Sequence, residues 1–290
     1  MLIAMARVAF KRGGGQSVSA GGAMRYFGSE DQQALARRGK ALYELMRDDP
    51  RVAWYGRALA VTDLNASGMD FFENLIRLQG ATAAYMVKRG TEAEVCENLS
   101  KRGLRSDLFG FSMSQDDRSV DQARSLLGEF SLPDDVTCKT LGPESPQDDV
   151  EAFAEVALSQ GVLPPPEAVL RGQMRRGVAL VARETSSGRP IGCAASIESY
   201  HPAGNLSDYC FWGMLATHPD RRGEKIAMVL GAQAMVAMHE KTGIRRFTTG
   251  VRDDNVPSAA LCAKFGVMRS DYMVVMGMDP DAFSDDRVTK

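Results

Sequence analysis

At 290 residues the chain has room for two ordinary domains, and with 44% hydrophobic and 25% charged residues it has the composition of a globular protein. A formal net charge of −2 gives no pull toward nucleic acid or an anionic membrane, and no apolar run reaches the ~20 residues a spanning helix needs. The five cysteines (Cys96, Cys138, Cys193, Cys210, Cys262) are odd in number, scattered and without a C-x-x-C pair, and only His201, His218 and His239 accompany them. That pattern speaks against a disulfide framework or a metal site and predicts a cytoplasmic protein.

The apolar stretch 1–10 is interrupted by Arg7 and followed, rather than preceded, by Lys11 and Arg12, the wrong order for a signal peptide. With the Gly/Ser-rich run 13–22 it predicts a flexible extension over 1–23, and Met24 is an alternative start. Ser29 and Gln32 form a capping box that opens a helix over 30–47, with Leu35, Leu42, Leu45 and Met46 on one face. A strand within 52–64 and a short helix over 71–78 follow. Residues 82–87 read as a strand, Thr91 and Glu94 as the cap of a helix that Gly103 stops, and 108–113 as another strand. A short helical pattern carries Val120, Ala123, Leu126 and Leu127. Leu132-Pro133-Asp134-Asp135 then reads as a connection between an N-terminal α/β domain, 24–130, and a second domain, 136–280, with 281–290 a tail.

The second domain begins with a strand over 136–141 and a helix over 146–160. Pro164-Pro165-Pro166 breaks the chain before a short helix at 167–174. Strands over 177–184 and 190–200 are joined by Ser186-Ser187-Gly188, a hairpin turn. A strand over 209–217 runs into His218-Pro219-Asp220-Arg221-Arg222-Gly223, and a helix over 224–241 follows, stopped by Gly243. The chain finishes as strand 246–251, helix 256–265, Gly266 and strand 271–278. Hairpins leading into strand–helix–strand–helix–strand predict an α+β fold with a mixed, mostly antiparallel central sheet flanked by helices. Strand 82–87, helix 91–101, Gly103 and strand 108–113 echo the last such unit with negligible sequence identity. Either the fold is duplicated or a common supersecondary unit recurs by chance.

Chemistry concentrates where the 209–217 strand meets its helix. Helix N-termini carry unpaired N–H groups and partial positive charge, and so cradle phosphates. Arg222-Gly223-Glu224-Lys225-Ile226-Ala227 at this corner resembles the phosphate loop of Gcn5-related N-acetyltransferases, Arg/Gln-x-x-Gly-x-Gly/Ala. It departs from it at Lys225, where glycine would let backbone approach phosphate closely. About 30 residues on, directly after a strand, Asn255-Val256-Pro257-Ser258-Ala259-Ala260-Leu261-Cys262-Ala263-Lys264-Phe265-Gly266-Val267 resembles the family's Asn-x-x-Ala/Ser-x-x-Leu-Tyr-x-Lys-x-Gly-Phe element. The resemblance covers about half the chain.

It implies the acyl-CoA N-acyltransferase fold and acetyl-CoA as co-substrate, with acetyl transferred by direct attack of a primary amine of a small molecule or peptide. The strand ending at Leu215, Ala216 and Thr217 should splay from strand 246–251, admitting a pantetheine arm that Asn255 and Ser258 hydrogen-bond; Asn255 also reads as a helix N-cap. Residues 222–227 would hold the diphosphate. Cys262 stands where the family often has a proton-donating tyrosine, and reads equally as a small buried residue. Tyr209 and Tyr272 are alternative donors. Strand alternation places Tyr209, Phe211, Gly213, Leu215 and Thr217 on one face without a carboxylate, which leaves Asp208 and Glu198 as the nearest candidate bases. Lys225, Cys262 and the missing strand carboxylate keep open a second reading, a non-catalytic acetyl-CoA-binding regulatory protein. A homodimer is compatible with either.

Overall fold

The computed structural model describes residues 24–283 and 287–289; the extension expected over 1–23 lies outside them. The N-terminal part contains α1 (Glu30–Met46), β1 (Val52–Ala53), β2 (Ala60–Val61), α2 (Leu64–Ser67), α3 (Met69–Gln79), β3 (Ala81–Lys88), α4 (Glu92–Lys101), β4 (Arg105–Ser114) and α5 (Ser119–Glu129). Then come β5 (Val136–Thr140), α6 (Gln147–Ser159), α7 (Glu167–Leu170), β6 (Gly177–Glu184), β7 (Pro190–Ile197) and β8 (Tyr209–Thr217). A 3-10 turn (Pro219–Arg221) precedes α8 (Ile226–Thr242), β9 (Arg246–Val251), α9 (Val256–Ala263) and β10 (Val267–Met278).

Local chemistry explains most boundaries. The Ser29 hydroxyl accepts the Gln32 N–H, and the Gln32 side chain accepts the Ser29 N–H at 2.9 Å, closing the expected box on α1. The cap expected from Thr91 does not form: its hydroxyl donates to Lys88 O at 2.8 Å, and Glu92 accepts the Gly90 N–H instead. The 52–64 segment yields two strands of only two residues each, because Gly56, at φ +111°, turns the chain between them.

All ten strands lie in one sheet, in the order β1-β2-β3-β10-β4-β9-β8-β7-β6-β5. Pairing is antiparallel except for β2–β3 and β8–β9. The order is not sequential at the centre. β10 lies between β3 and β4, while β4 lies between β10 and β9. The unit β3–α4–β4 and its echo β9–α9–β10 each leave a gap one strand wide, and each fills the other's gap with its own last strand.

The sheet also curls back on itself. Ala53 bridges to Tyr200, just beyond β7, and the Trp54 N–H donates to Ser199 O at 2.9 Å. Eight strands thereby close into a ring whose interior holds Tyr85, Phe109, Phe111 and Tyr200. Outside it, α3 and α6 pack Phe72, Ile76 and Phe153 into one core cluster. A second cluster joins α5, α8 and α9 through Val120, Leu230 and Cys262, with Phe265, just beyond α9, edge-on to Trp212. Helix α8 is buried on more than the single face its sequence suggests: Met228, Val229, Ala232 and Met235 are enclosed along with Ile226 and Leu230, because α5 covers the side turned away from the sheet.

Candidate active site

The ring has one split. Strands β8 and β9 pair only through Tyr209↔Arg246, Cys210↔Phe247 and Phe211↔Thr248, after which β9 continues beside β4 and β8 leaves it. Between them opens a cavity of about 960 Å³. A bulge in β8 helps open it. Met214 adopts φ +54°, and the register to β7 slips between Cys193↔Ala216 and Ala195↔Gly213. The extra residue swaps the strand's faces. Cys210 and Trp212 belong to the α8 side, whereas Met214 and Ala216 join the cluster around α6. The single face expected from 209 to 217 is therefore broken in the middle, since alternation holds only while pairing is regular.

Where the two strands part, Gly213 lets their side chains come close: a Cβ there would lie 3.0 Å from Phe211 Cζ and 3.2 Å from Thr249 Oγ1. Thr217 lines the cavity with a buried hydroxyl that has no hydrogen-bond partner among the described residues. The chain then turns through Gly223, at φ +85°, into α8. Lys225 occupies the N-cap position in the left-handed region, φ +63°, the conformation that favours the glycine of the resembled motif. Its ammonium lies 3.7 Å from the Phe130 ring centroid, turned aside from the backbone corner. No side chain caps α8, so the corner keeps unpaired donors directed at the cavity wall.

Two adjacent arginines divide the work of this corner. Arg221 is committed to structure, with hydrogen bonds to Glu224, Glu184 and Asp135. Arg222 makes one such contact, to Gln160 Oε1 at 2.7 Å, and lines the cavity. Of the described residues that line it, seven are Arg or Lys and only Asp254 is acidic, so this lining favours an anion. Across the split, the Asn255 side-chain oxygen accepts the Ser258 N–H at 3.2 Å and caps α9, leaving its NH₂ and the Ser258 hydroxyl on the lining.

The structure thus brings Leu215, Ala216, Thr217, Arg222, Gly223, Lys225, Ile226, Ala227, Asn255, Ser258 and Cys262 to one cavity. Glu224 stays outside it, spent on Arg221. Asp208 and Tyr209 are not among the lining residues either: Asp208 is an exposed loop acid 3.3 Å from Arg246, and that guanidinium also covers the Tyr209 ring. Glu198 pairs with Arg176. Burial pushes the Cys262 thiol up to about 12, so it faces the cavity protonated. No local signal in the sequence marks the remaining wall, which is aromatic. Tyr55 stacks on Phe211 at 4.3 Å, Tyr85 on Phe111 at 5.5 Å, and the Tyr200 hydroxyl shares a 2.6 Å hydrogen bond with Thr248. Burial holds the Tyr200 phenol well above its usual range. Residues 287–289 close one side, with Val288 buried and the Thr289 hydroxyl donating to Gly161 O at 3.2 Å.

Among the described residues no helix is long and apolar enough to cross a membrane, and no cluster of His, Cys, Asp or Glu could hold a metal ion. Residues 150–267 match the model of the Acetyltransferase (GNAT) family. A GCN5-related N-acetyltransferase-like protein from Streptococcus suis 89/1591 is similar at 14% identity and TM-score 0.52, over 84% of this chain and 99% of that one. A GCN5-related N-acetyltransferase from Kribbella flavida is similar at 13% identity and TM-score 0.51, over 84% and 95%. A tandem GNAT protein from the clavulanic acid biosynthesis pathway has 18% identity and TM-score 0.47, over 72% and 67%. A search of curated proteins returned no match. The C-terminal region of this chain has the GNAT-type acetyltransferase fold, in a mixed, largely antiparallel sheet.

Proposed function

We propose that this chain is an N-acetyltransferase, that acetyl-CoA lies in the split between β8 and β9, and that β3–α4–β4 and β9–α9–β10 are copies of one ancestral unit. The observation that carries the reading is the coincidence of three unmet binding groups along one cavity: the uncapped start of α8, the buried Thr217 hydroxyl and the free amide of Asn255. A diphosphate at 222–227 would take the helix N–H groups and Arg222, and an amide-bearing arm would run along the unpaired backbone of β8 near Leu215 and Thr217. The N-terminal unit has no comparable corner. The helix after β2 is only four residues long, and the Asp63 carboxylate already accepts the Asn65 and Ala66 N–H groups, where it would repel phosphate.

Transfer forms a C–N bond to the acetyl carbon and breaks its C–S bond, with one proton leaving the amine and one reaching the departing sulfur. Among the described residues no carboxylate lines the aromatic part of the cavity, so the amine enters neutral and loses its proton through water. Of the candidate donors Cys262 is the one that lines the cavity, but burial that raises its thiol to about 12 makes it a weaker acid than an ordinary thiol near 8.5, so water rather than Cys262 supplies the proton to the departing sulfur.

The test is a titration followed by turnover. One acetyl-CoA should bind per chain, and Arg222→Glu with Asn255→Ala should weaken it well over tenfold, since each change removes a contact worth ~1–3 kcal/mol. A stoichiometry of two, or unchanged affinity, contradicts the site. Binding without thiol release across a broad amine panel would instead support a regulatory acetyl-CoA-binding protein.

A further inference from the structure

Arg57 is 8% exposed, lines the cavity, and carries a buried Nε with no hydrogen-bond partner among the described residues. Among the same residues its one side-chain hydrogen bond goes to the Tyr55 hydroxyl at 3.3 Å, and no carboxylate pairs with it. A buried cation without a counter-ion is costly, so such a group marks a place where an anion completes the site. The other deeply buried arginine shows the contrast: Arg171 is surrounded by Glu167, Gln147 and three backbone carbonyls.

The missing anion is not the diphosphate proposed for 222–227. Arg57 is held through Tyr55, which stacks on Phe211 at the paired end of the split. From there to Thr217, β8 runs six residues, roughly 20 Å, before the phosphate corner begins. The walls around this end are aromatic. A ligand here meets one fixed guanidinium and several rings.

We infer that the acceptor is a primary amine carrying a carboxylate and an apolar or aromatic body, and that Arg57 holds the carboxylate while the amine points along β8 toward Gly213. This rests on the acetyltransferase reading for its chemistry but not for its binding claim. Arg57 is then the residue that selects among amines, and polyamines and other cations are rejected by it.

The experiment uses the full chain and matched pairs: L-phenylalanine, L-leucine and the dipeptide Gly-Phe, each against its C-terminal amide, with spermidine as the cationic control. Binding is followed by calorimetry in the presence of coenzyme A, and thiol release with acetyl-CoA. At least one carboxylate should bind about tenfold to a hundredfold more tightly than its amide, the range expected of a charge-assisted hydrogen bond. Arg57→Gln should abolish that preference by raising KM far more than it lowers kcat, and Arg57→Lys should keep part of it. Acetyl-CoA affinity, measured in the same variants, reports whether they fold. Equal or better use of the amides, preference for spermidine, or no binding of any carboxylate overturns the inference. A carboxylate that binds in an Arg57-dependent way without thiol release upholds it while sinking the acetyltransferase reading.

Discussion

Cys262 illustrates how burial fixes the role open to a side chain. With its pKa near 12 against an ordinary 9.0, about one thiol in ten thousand is ionised at pH 8, compared with roughly one in ten for a free cysteine. Alkylation by iodoacetamide at pH 8 should therefore be at least about tenfold slower at Cys262 in the folded protein than in the unfolded chain. Rapid labelling would show that the thiol is not held as described. Cys193 and Cys210 are raised to about 12 by the same cause, desolvation. Because the folded state prefers the neutral thiols, their contribution is intact below pH 9 and is lost as pH rises toward 12. Denaturant midpoints should fall across that window, and Cys193→Ala with Cys210→Ala should flatten the decline.

At the scale of elements, the split depends on the bulge at Met214 and on the absence of a side chain at Gly213. A valine at 213 would push into Phe211 and Thr249, narrowing the gap where the two strands part. Gly213→Val should weaken acetyl-CoA binding about tenfold or more while the chain still unfolds cooperatively. Unchanged affinity would mean that the arm does not run there. The same element shows what sequence can and cannot carry. The limits of β8 and β9 were legible to the residue, because apolar alternation and the flanking turn residues are local signals. The bulge was not, since Met214 has no feature that announces a positive φ. Asn255 was legible as a cap from its place at a helix start, and its place at the cavity only through the resemblance of 255–267 to a known motif. Arg57 and Tyr55 were invisible as site residues. They come from the turn between β1 and β2, far away in sequence, and the Ala53–Tyr200 closure carries them to β8.

For the whole molecule, the interleaving of β4 and β10 means that the domain-like halves of the sequence are not separable in the sheet. Removing residues 24–130 would strip β10 of both neighbours and β9 of one, exposing unpaired strand edges. The fragment 132–290 should therefore be aggregated or unfolded by circular dichroism and size exclusion. Co-expression with 24–131 should restore a soluble complex that binds one acetyl-CoA. A monomeric, folded 132–290 would show that another strand can take the place of β4. In the intact chain a single unfolding transition is expected, since neither cluster of helices can be removed without opening the shared sheet.

The reciprocal lending of final strands also sets an order of events during synthesis. When β4 leaves the ribosome it cannot pair with β3, because the berth between them belongs to residues translated some 150 positions later, roughly ten to thirty seconds at ordinary elongation rates. For most of that interval three strand flanks, one on β3 and both on β4, stay unsatisfied in the nascent polypeptide, and a holdase chaperone or a pause in translation would have its greatest effect there. The tenth strand, β10, is the bolt that locks both halves at once.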